Sequence, residues 1–221
     1  MGLRVEAAIA AAVIAVAVVG LALWPLTAPA CVRGLVLLAG SEEYTGFDRE
    51  LTLASAEAVR HFVIDRSAPA LPAEVGGAPG FDAEAVSHLV DVRDVLIPSR
   101  TLALVATVLA AAWCAVRIRG RQGKRLVGSA LRAAGWLLIG GGGLALIAGA
   151  LDFDAFFAAF HSLFFAPGTW TFPADALLIR VFPLPFWISA GVLWAAFVLA
   201  AAVALIVIGG RLCFTRDGDG V

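Results

Sequence analysis

Four apolar stretches, each long enough to cross a bilayer, constrain this 221-residue chain more than any other feature. They cover approximately residues 7–26, 96–116, 126–151 and 186–210. Because the hydrocarbon core of a bilayer needs about 20 mostly apolar residues per helix, each stretch predicts a transmembrane helix. The sequence therefore predicts an α-helical integral membrane protein with four transmembrane helices.

The composition agrees with a membrane protein and excludes several other classes. Apolar residues make up 61% of the chain and charged residues 15%, against roughly 45–50% and about 25% in soluble domains. This hydrophobicity excludes long disorder. Sixteen Lys and Arg balance seventeen Asp and Glu, which argues against a nucleic-acid partner. Three cysteines give no even-numbered disulfide framework.

The link between the second and third spans, residues 117–125, sets the predicted orientation. It carries five cations and no anion, and short basic loops stay in the cytoplasm. Both termini, including the tail 211–221, are then cytoplasmic, in agreement with Arg4, Arg211 and Arg216 near the chain ends. The first stretch exceeds the core of a secretory signal, about 7–15 residues, and is interpreted as an uncleaved span.

Residues 27–95 are predicted to form a small mixed α/β cap outside the membrane. Residues 32–39 are a short apolar run that predicts a strand, residues 55–64 have helical spacing, and residues 68–80 are rich in Pro and Gly and predict a loop or hairpin. Asp82 is a predicted N-cap of a helix that continues to about Val95, and Pro98 is expected to separate this helix from the second span.

Residues 152–185 form the second predicted external segment and are dominated by aromatic side chains. Phe153, Phe156, Phe157, Phe160 and Phe164 have helical spacing and predict an aromatic helix at the membrane interface. Four prolines are expected to break the remainder of this segment into short pieces. In the third span, the glycine run 140–143 is interpreted as a site of close helix packing.

Three histidines, all external, are the first candidates for chemistry. His61 has no acidic neighbour at a helpful spacing and is interpreted as a surface residue. On a helix, His88 and Asp91 share a face. His161 is flanked by Phe157 and Phe165. Polar groups are rare at headgroup depth, so the pair His88 and His161 favours a function.

The residues alone leave three chemistries open for this pair. The two imidazoles could act as general base and acid at an ester carbonyl. Together with Asp91 they could hold a metal that keeps open positions for water. They could also form a pH-sensing contact without turnover. Arg93 and Arg180 are the external cations nearest the headgroup level and could bind phosphate, although a snorkelling or salt-bridged role explains each equally well.

Two short motifs resemble the signatures of a known family. Residues 81–92 (FDAEAVSHLVDV) and 160–165 (FHSLFF), followed by Trp170, Pro173 and residues 182–187 (FPLPFW), are similar to those of the bacterial lipoprotein intramolecular transacylases, Lit. The layout of four spans with one large loop after the first is also similar. Tyr44, in residues 41–44 (SEEY), falls where the family has a tyrosine-containing stretch.

The resemblance implies a reaction and a location. The family moves the sn-2 acyl chain of a diacylglyceryl-modified lipoprotein to the α-amino group of the same N-terminal cysteine, which gives a lyso-form lipoprotein. The partners are then diacylated bacterial lipoproteins and membrane lipid, no cofactor or metal is needed, and the active site faces the outside of the bacterial cytoplasmic membrane. The family's two histidines correspond to His88 and His161.

These considerations give His88 and His161 as candidate catalytic residues. The candidate supporting or substrate-binding residues are Asp91, Tyr44, Arg93, Trp170 and Arg180. We expect His161 to be the base and His88, oriented by Asp91, to be its partner or an oxyanion donor, although the reverse assignment fits the sequence as well. The alternatives are a metal-dependent membrane hydrolase using His88, Asp91 and His161, and a non-catalytic membrane scaffold.

Overall fold

The computed structural model describes residues 2–214, and this part of the chain is mostly helical. Arg216 and the rest of the predicted tail beyond residue 214 lie outside the described residues. The elements are arranged in the order α1 (Gly2–Leu21), α2 (Leu23–Leu26), α3 (Pro29–Leu38), α4 (Ser41–Thr45), α5 (Arg49–Ile64), β1 (Glu74–Val75), β2 (Ala78–Pro79), α6 (Ala83–Arg117), α7 (Gly120–Leu151), α8 (Phe153–Ser162), α9 (Leu177–Val181) and α10 (Leu184–Phe214).

Four helical stretches are long and apolar enough to cross a membrane: Gly2–Leu26, Ala83–Arg117, Gly120–Leu151 and Leu184–Phe214. The predicted fold class, a helical membrane protein with four spans, is confirmed. The described residues divide into two compact units. The first comprises residues 2–22, 100–151 and 195–214, and the second comprises residues 23–99 and 152–194.

Small residues allow close helix packing in the first unit. A Cβ atom at Gly128 of α7 would lie 2.6 Å from the carbonyl oxygen of Gly209 in α10, so only glycine fits there. Likewise, a Cβ atom at Gly135 would lie 2.7 Å from the carbonyl oxygen of Ala202. Without a hydrophobic driving force in lipid, close backbone approach of this kind holds helices together.

The interpretation of the glycine run 140–143 as a packing site was wrong. A Cβ atom at any of these four positions would meet nothing within 4 Å in the described structure. The glycines that do pack, Gly128 and Gly135, are seven residues apart and so share one face of α7. A consecutive run cannot place all its members on one face, which is why its position in the sequence was misleading.

The core of the second unit joins α3, α5, α9 and the hairpin to the adjoining ends of α6 and α10. Its buried apolar residues are Val32, Leu35, Val36, Ala39, Leu53, Ala56, Val59, Phe62, Val75, Phe81, Ala85, Leu89, Leu177, Leu178, Val181, Phe182 and Phe186. Most of the predicted cap is therefore helical, and its small sheet consists of two antiparallel strands of two residues each. The hairpin expected in residues 68–80 is present.

The prediction of a strand over residues 32–39 was wrong, because this segment belongs to α3. Val32, Leu35, Val36 and Ala39 are all buried. Their spacing, i, i+3, i+4 and i+7, is that of one helical face. Pro29 occupies the first turn of the helix, where proline is well tolerated. The two valines made the short run resemble a strand, but burial on one helical face decided the structure.

The helix that begins after Asp82 does not end near Pro98, contrary to expectation. Asp82 accepts a hydrogen bond from the backbone N–H of Ala85 at 2.7 Å, as a helix N-cap should. The helix then continues through Pro98 to Arg117. One proline removes one backbone hydrogen bond, a loss that a long apolar helix can absorb. The non-helical part of the basic link 117–125 is also shorter than expected, because α7 begins at Gly120.

The packing in the first unit predicts opposite effects of one substitution at two glycines. Gly128→Ala should lower the thermal unfolding temperature in detergent, because the new methyl group clashes with backbone at a cost of about 1–3 kcal/mol. Gly140→Ala should leave that temperature unchanged or raise it, since alanine favours a helix by up to about 1 kcal/mol over glycine. Equal shifts for the two variants would contradict the packing.

Candidate active site

Two imidazoles come together in the second unit. The ring centroids of His88 on α6 and His161 on α8 are 6.4 Å apart, and their planes differ by 30°. The rings are too far apart to stack on each other. The gap suits a shared reacting group, because an acid or base must come within about 2.6–3.2 Å of the atom it serves.

Local helix structure sets the position of each histidine. In α6, His88 shares a buried face with Ala85 and Leu89, at i−3 and i+1, and is itself 8% exposed. Helix α8 begins at an N-cap, Asp152, whose carboxylate accepts from the N–H of Ala155 at 2.9 Å. His161 lies in the last turn of this short helix.

Aromatic rings surround both imidazoles. Phe165 contacts both, with centroid distances of 5.0 Å to His88 and 5.7 Å to His161. Phe172 lies 5.5 Å from the ring of His88. Phe157 and Trp170 lie 3.9 and 4.9 Å from the ring of His161. The surroundings of the two rings are largely apolar, and His88 is buried while His161 is half-buried.

A hydrogen bond determines which ring nitrogen of neutral His161 carries the proton. Its Nδ1 lies 2.9 Å from the backbone carbonyl oxygen of Phe157. A carbonyl oxygen can only accept, so Nδ1 must carry the proton and donate. In the neutral ring, Nε2 therefore has the free lone pair. Burial lowers the pKa of His161, and the hydrogen bond to Phe157 opposes this shift in part.

Two buried donors or acceptors at this site have no hydrogen-bond partner among the described residues. They are Nδ1 of His88 and Nε1 of Trp170. An indole N–H can only donate, so Trp170 offers an unused hydrogen-bond donor beside His161. Leaving such a group unpaired costs about 1–3 kcal/mol. An acceptor atom of a bound molecule would remove that cost.

The predicted role of Asp91 in orienting His88 is not supported by a hydrogen bond between the two side chains in the described structure. Nδ1 of His88 is without a partner, and Asp91 reaches His88 through its charge alone. The two residues share a helix face, as the spacing suggested. A shared face allows contact but does not require it, because each side chain also chooses its own rotamer.

Trp170 is the predicted supporting residue that contacts a histidine ring. Arg93, Arg180 and Tyr44 lie in the same unit but make none of the ring contacts described above. The guanidinium carbon of Arg93 lies 4.8 Å from the ring centroid of Phe62. Arg180 donates to the backbone carbonyl of Thr45 at 3.0 Å. In both arginines Nε is buried without a partner among the described residues. Tyr44, in α4, is 48% exposed.

The interpretation of His61 needs a correction, and one residue was missed. His61 is half-exposed, but Asp65, one turn further along, lies 3.4 Å from its Nε2, so it does have an acidic neighbour. Phe172 lies in the aromatic segment 152–185, but it was not identified as a contact of His88. Its position two residues after Trp170 was the available signal, and a loop gives no periodicity with which to interpret it.

The structure does not bring together the three residues that the metal-dependent hydrolase would use as ligands. Within residues 2–214, no three His, Cys, Asp or Glu side chains form a group that could hold a metal ion. His88, Asp91 and His161 therefore do not make such a group. The arrangement instead offers two imidazoles, one of them with a defined free lone pair, and an unpaired indole donor.

Comparisons with known proteins find a matching family model. The family model described as "Lipoprotein intramolecular transacylase Lit" matches residues 36–187, which is more than half of the chain. No curated protein sequence matches the chain.

Similar solved structures include the membrane integral lipoprotein intramolecular transacylase Lit from Bacillus cereus. It has a TM-score of 0.82 at 16% sequence identity and covers 95% of this chain and 95% of that chain. Two further structures of the Bacillus cereus protein each carry a mutation of a histidine. Their TM-scores are 0.73 and 0.74 at 14% identity, and they cover 95% of this chain and 91% and 93% of those chains. At such identities the likeness shows a shared fold.

The state of His161 can be measured by NMR on protein with isotope-labelled histidine. Because burial lowers its pKa, His161 should titrate below the ordinary value of about 6.5 and be neutral at pH 7. Its nitrogen shifts should report a proton on Nδ1. The His161→Gln variant assigns the signal. A midpoint above the ordinary value, or a proton on Nε2 in the neutral ring, would contradict the geometry.

Proposed function

The chain belongs to the family of lipoprotein intramolecular transacylases, Lit, and we propose that its two histidines catalyse the family's acyl transfer by acid and base chemistry. The chain is thus an acyltransferase with a lipoprotein substrate. The proposed reaction moves the sn-2 acyl chain of the diacylglyceryl group to the α-amino group of the same N-terminal cysteine. The observation that carries the proposal is the pair His88 and His161 within one aromatic enclosure.

The chemical steps balance without a cofactor or a covalent enzyme intermediate. The amine nitrogen attacks the sn-2 ester carbonyl, which forms the C–N bond of a tetrahedral intermediate. Collapse of this intermediate then breaks the C–O bond to the glyceryl oxygen. One proton leaves the nitrogen and one arrives at the departing glyceryl oxygen. Because amine and ester belong to one molecule, proximity supplies much of the rate, and the protein need not provide a nucleophile.

His161 is suited to be the base. Its Nδ1 donates to the carbonyl of Phe157, which leaves the Nε2 lone pair to accept the proton of the attacking amine. The lowered pKa keeps the ring neutral at pH 7, and a base must be neutral to act. The sequence left the choice between the two histidines open, and this hydrogen bond favours His161.

His88 and Trp170 are suited to donate hydrogen bonds to the oxygen atoms of the reacting ester. His88 lies across the gap from His161 and can stabilise the oxyanion with a hydrogen bond. Burial and the nearby His161 lower the pKa of His88 as well, so the proton for the leaving glyceryl oxygen would come from His161 after it has taken one from the amine. The N–H of Trp170 is buried and unpaired, which is the property expected of a donor reserved for charge that develops in the transition state. Asp91 would support His88 through its charge.

The aromatic enclosure suits the rest of the substrate. Phe157, Phe165 and Phe172 offer apolar surface to acyl chains and limit the access of water that would hydrolyse the ester. Arg93 and Arg180 each keep a buried, unpaired Nε, and we propose that they donate to carbonyl oxygens of the glyceryl esters or the peptide. Tyr44, which is largely exposed, would contact the substrate from the rim.

The proposed location rests on the basic link between the second and third spans. With residues 117–125 and both termini in the cytoplasm, residues 27–95 and 152–185 face the outside of the bacterial cytoplasmic membrane. Secreted lipoproteins are anchored on that side, so the site would meet its substrate there.

The direct test is mass spectrometry of the N-terminal peptide of a diacylated lipoprotein after incubation with the purified protein. The wild type should leave the total mass unchanged and place one acyl chain on the amine, as fragmentation will show. His88→Gln and His161→Gln should each lower the rate by about 10²–10⁴. The matched control is His61→Gln, which replaces a histidine outside the enclosure and should retain wild-type activity.

Other outcomes of this test identify the alternatives. Loss of one acyl chain from the mass would make the protein a hydrolase. An unchanged substrate with the wild type, or full activity in both histidine variants, would favour a non-catalytic scaffold or a different set of catalytic residues.

The role of Trp170 predicts a specific kinetic loss. Trp170→Phe keeps an aromatic ring and removes the N–H, so kcat should fall about tenfold to hundredfold with little change in KM. Trp136→Phe, at an exposed position of α7, is the control and should be unaffected. If Trp170→Phe raised KM alone, the indole would contribute packing and no oxyanion hydrogen bond.

A further inference from the structure

A groove in the first unit combines charge with an apolar wall. It lies between α1 and α7 and has a volume of about 470 Å³. Its lining includes two arginines and four apolar residues: Arg4, Arg125, Leu126, Ala7, Ala8 and Ala133. None of them belongs to the candidate active site, so the inference does not depend on the proposed reaction.

The charge of the groove has one sign. Arg4 and Arg125 come from different helices, and no Asp or Glu lines the groove. Neither arginine forms a salt bridge with another residue of the described chain. The acidic residue nearest to Arg4 in sequence, Glu6, binds Arg117 and Trp113 instead. Within residues 2–214, both guanidinium groups therefore lack an acidic partner and can bind an anion.

Apart from Gln122 and Ser129, the remaining wall is apolar and suits a hydrocarbon chain. Ala7 and Ala8 on α1 and Ala133 on α7 have small side chains, which leave a depression between the two helices, and Leu126 adds apolar surface. Both helices are among the four that can cross a membrane. A groove on such helices is exposed to lipid, with its arginines near the chain ends that the basic link assigns to the cytoplasmic face.

We propose that this groove binds one anionic phospholipid. Its phosphate lies between Arg4 and Arg125, which can donate paired hydrogen bonds to phosphate oxygens, and one acyl chain runs along the alanine wall. Basic pockets between transmembrane helices at the cytoplasmic side bind anionic lipid headgroups by this combination. The lipid would hold α1 against α7 by contacting both.

Native mass spectrometry of the purified full-length protein tests this site. Phosphatidylglycerol and phosphatidylcholine with the same acyl chains are the probes, and glycerol phosphate is the probe without chains. Wild-type protein should bind one phosphatidylglycerol in preference to phosphatidylcholine. Arg4→Gln combined with Arg125→Gln should weaken this binding about thirtyfold, since each arginine near a lipid phosphate contributes about fivefold.

Two further variants separate a built site from general attraction. Arg119→Gln combined with Arg121→Gln also removes two positive charges, here from the part of the basic link outside the groove, and should leave binding nearly unchanged. Ala133→Trp keeps both arginines but fills the alanine wall, and it should weaken binding of the phospholipid.

Three results would overturn the proposal. The first is an equal loss in the two double-arginine variants, which would indicate diffuse attraction to the basic link. The second is unaltered lipid binding in Ala133→Trp. The third is binding of glycerol phosphate as tight as that of phosphatidylglycerol, which would mean that the acyl chain makes no contact in the groove.

Discussion

The enclosure of two imidazoles by aromatic rings is the constraint on which the candidate site depends. Polar atoms in an apolar environment are costly unless they are paired. One of them, Nδ1 of His161, is paired with the carbonyl of Phe157, and this pairing also decides where the ring's free lone pair lies. Others, Nδ1 of His88 and Nε1 of Trp170, are unpaired. The folded protein therefore holds polar groups whose partners a substrate and its transition state could supply.

We propose that this arrangement catalyses the reaction by differential binding. An unpaired donor gains more from an oxyanion than from a neutral ester carbonyl, because hydrogen bonds to charged groups are roughly twice as strong. Apolar surroundings increase this gain, because electrostatic interactions are stronger where the dielectric constant is low. Around the site, Arg180 holds α9 to α4 through the carbonyl of Thr45, and Arg60 holds α5 to the carbonyl of Thr27. These contacts tie distant segments of the second unit to one another.

The parts of the structure that depend on local periodicity were predictable from the sequence. The four long helices could be predicted from hydropathy, the hairpin from Pro and Gly, and the N-cap at Asp82 from its residue type. His88 and His161 stood out because imidazoles are rare beside membrane spans. Errors arose where a local pattern had two solutions, as in residues 32–39, or where a single proline at position 98 was expected to end a helix that its apolar continuation maintains.

Contacts between distant segments could not be predicted in this way. The pairing of Phe172 with His88 joins a loop to a helix far away in the sequence. The close approach of α7 and α10 at Gly128 depends on which helix face meets which. Side-chain rotamers could not be predicted either, and they decide that Asp91 and His88, although close on one helix, do not form a hydrogen bond in the described structure. None of these is encoded in spacing along one element.

A crossover experiment tests the central claim, direct transfer within one molecule, most directly. One diacylated lipoprotein carries deuterated acyl chains on an unlabelled peptide, and a second carries ordinary chains on a ¹⁵N-labelled peptide. After incubation of the mixture with the protein, fragmentation should find each N-acyl chain on the peptide that carried it at the start. Deuterated chains on the amine of the ¹⁵N-labelled peptide would contradict direct transfer and indicate a released or enzyme-bound acyl group.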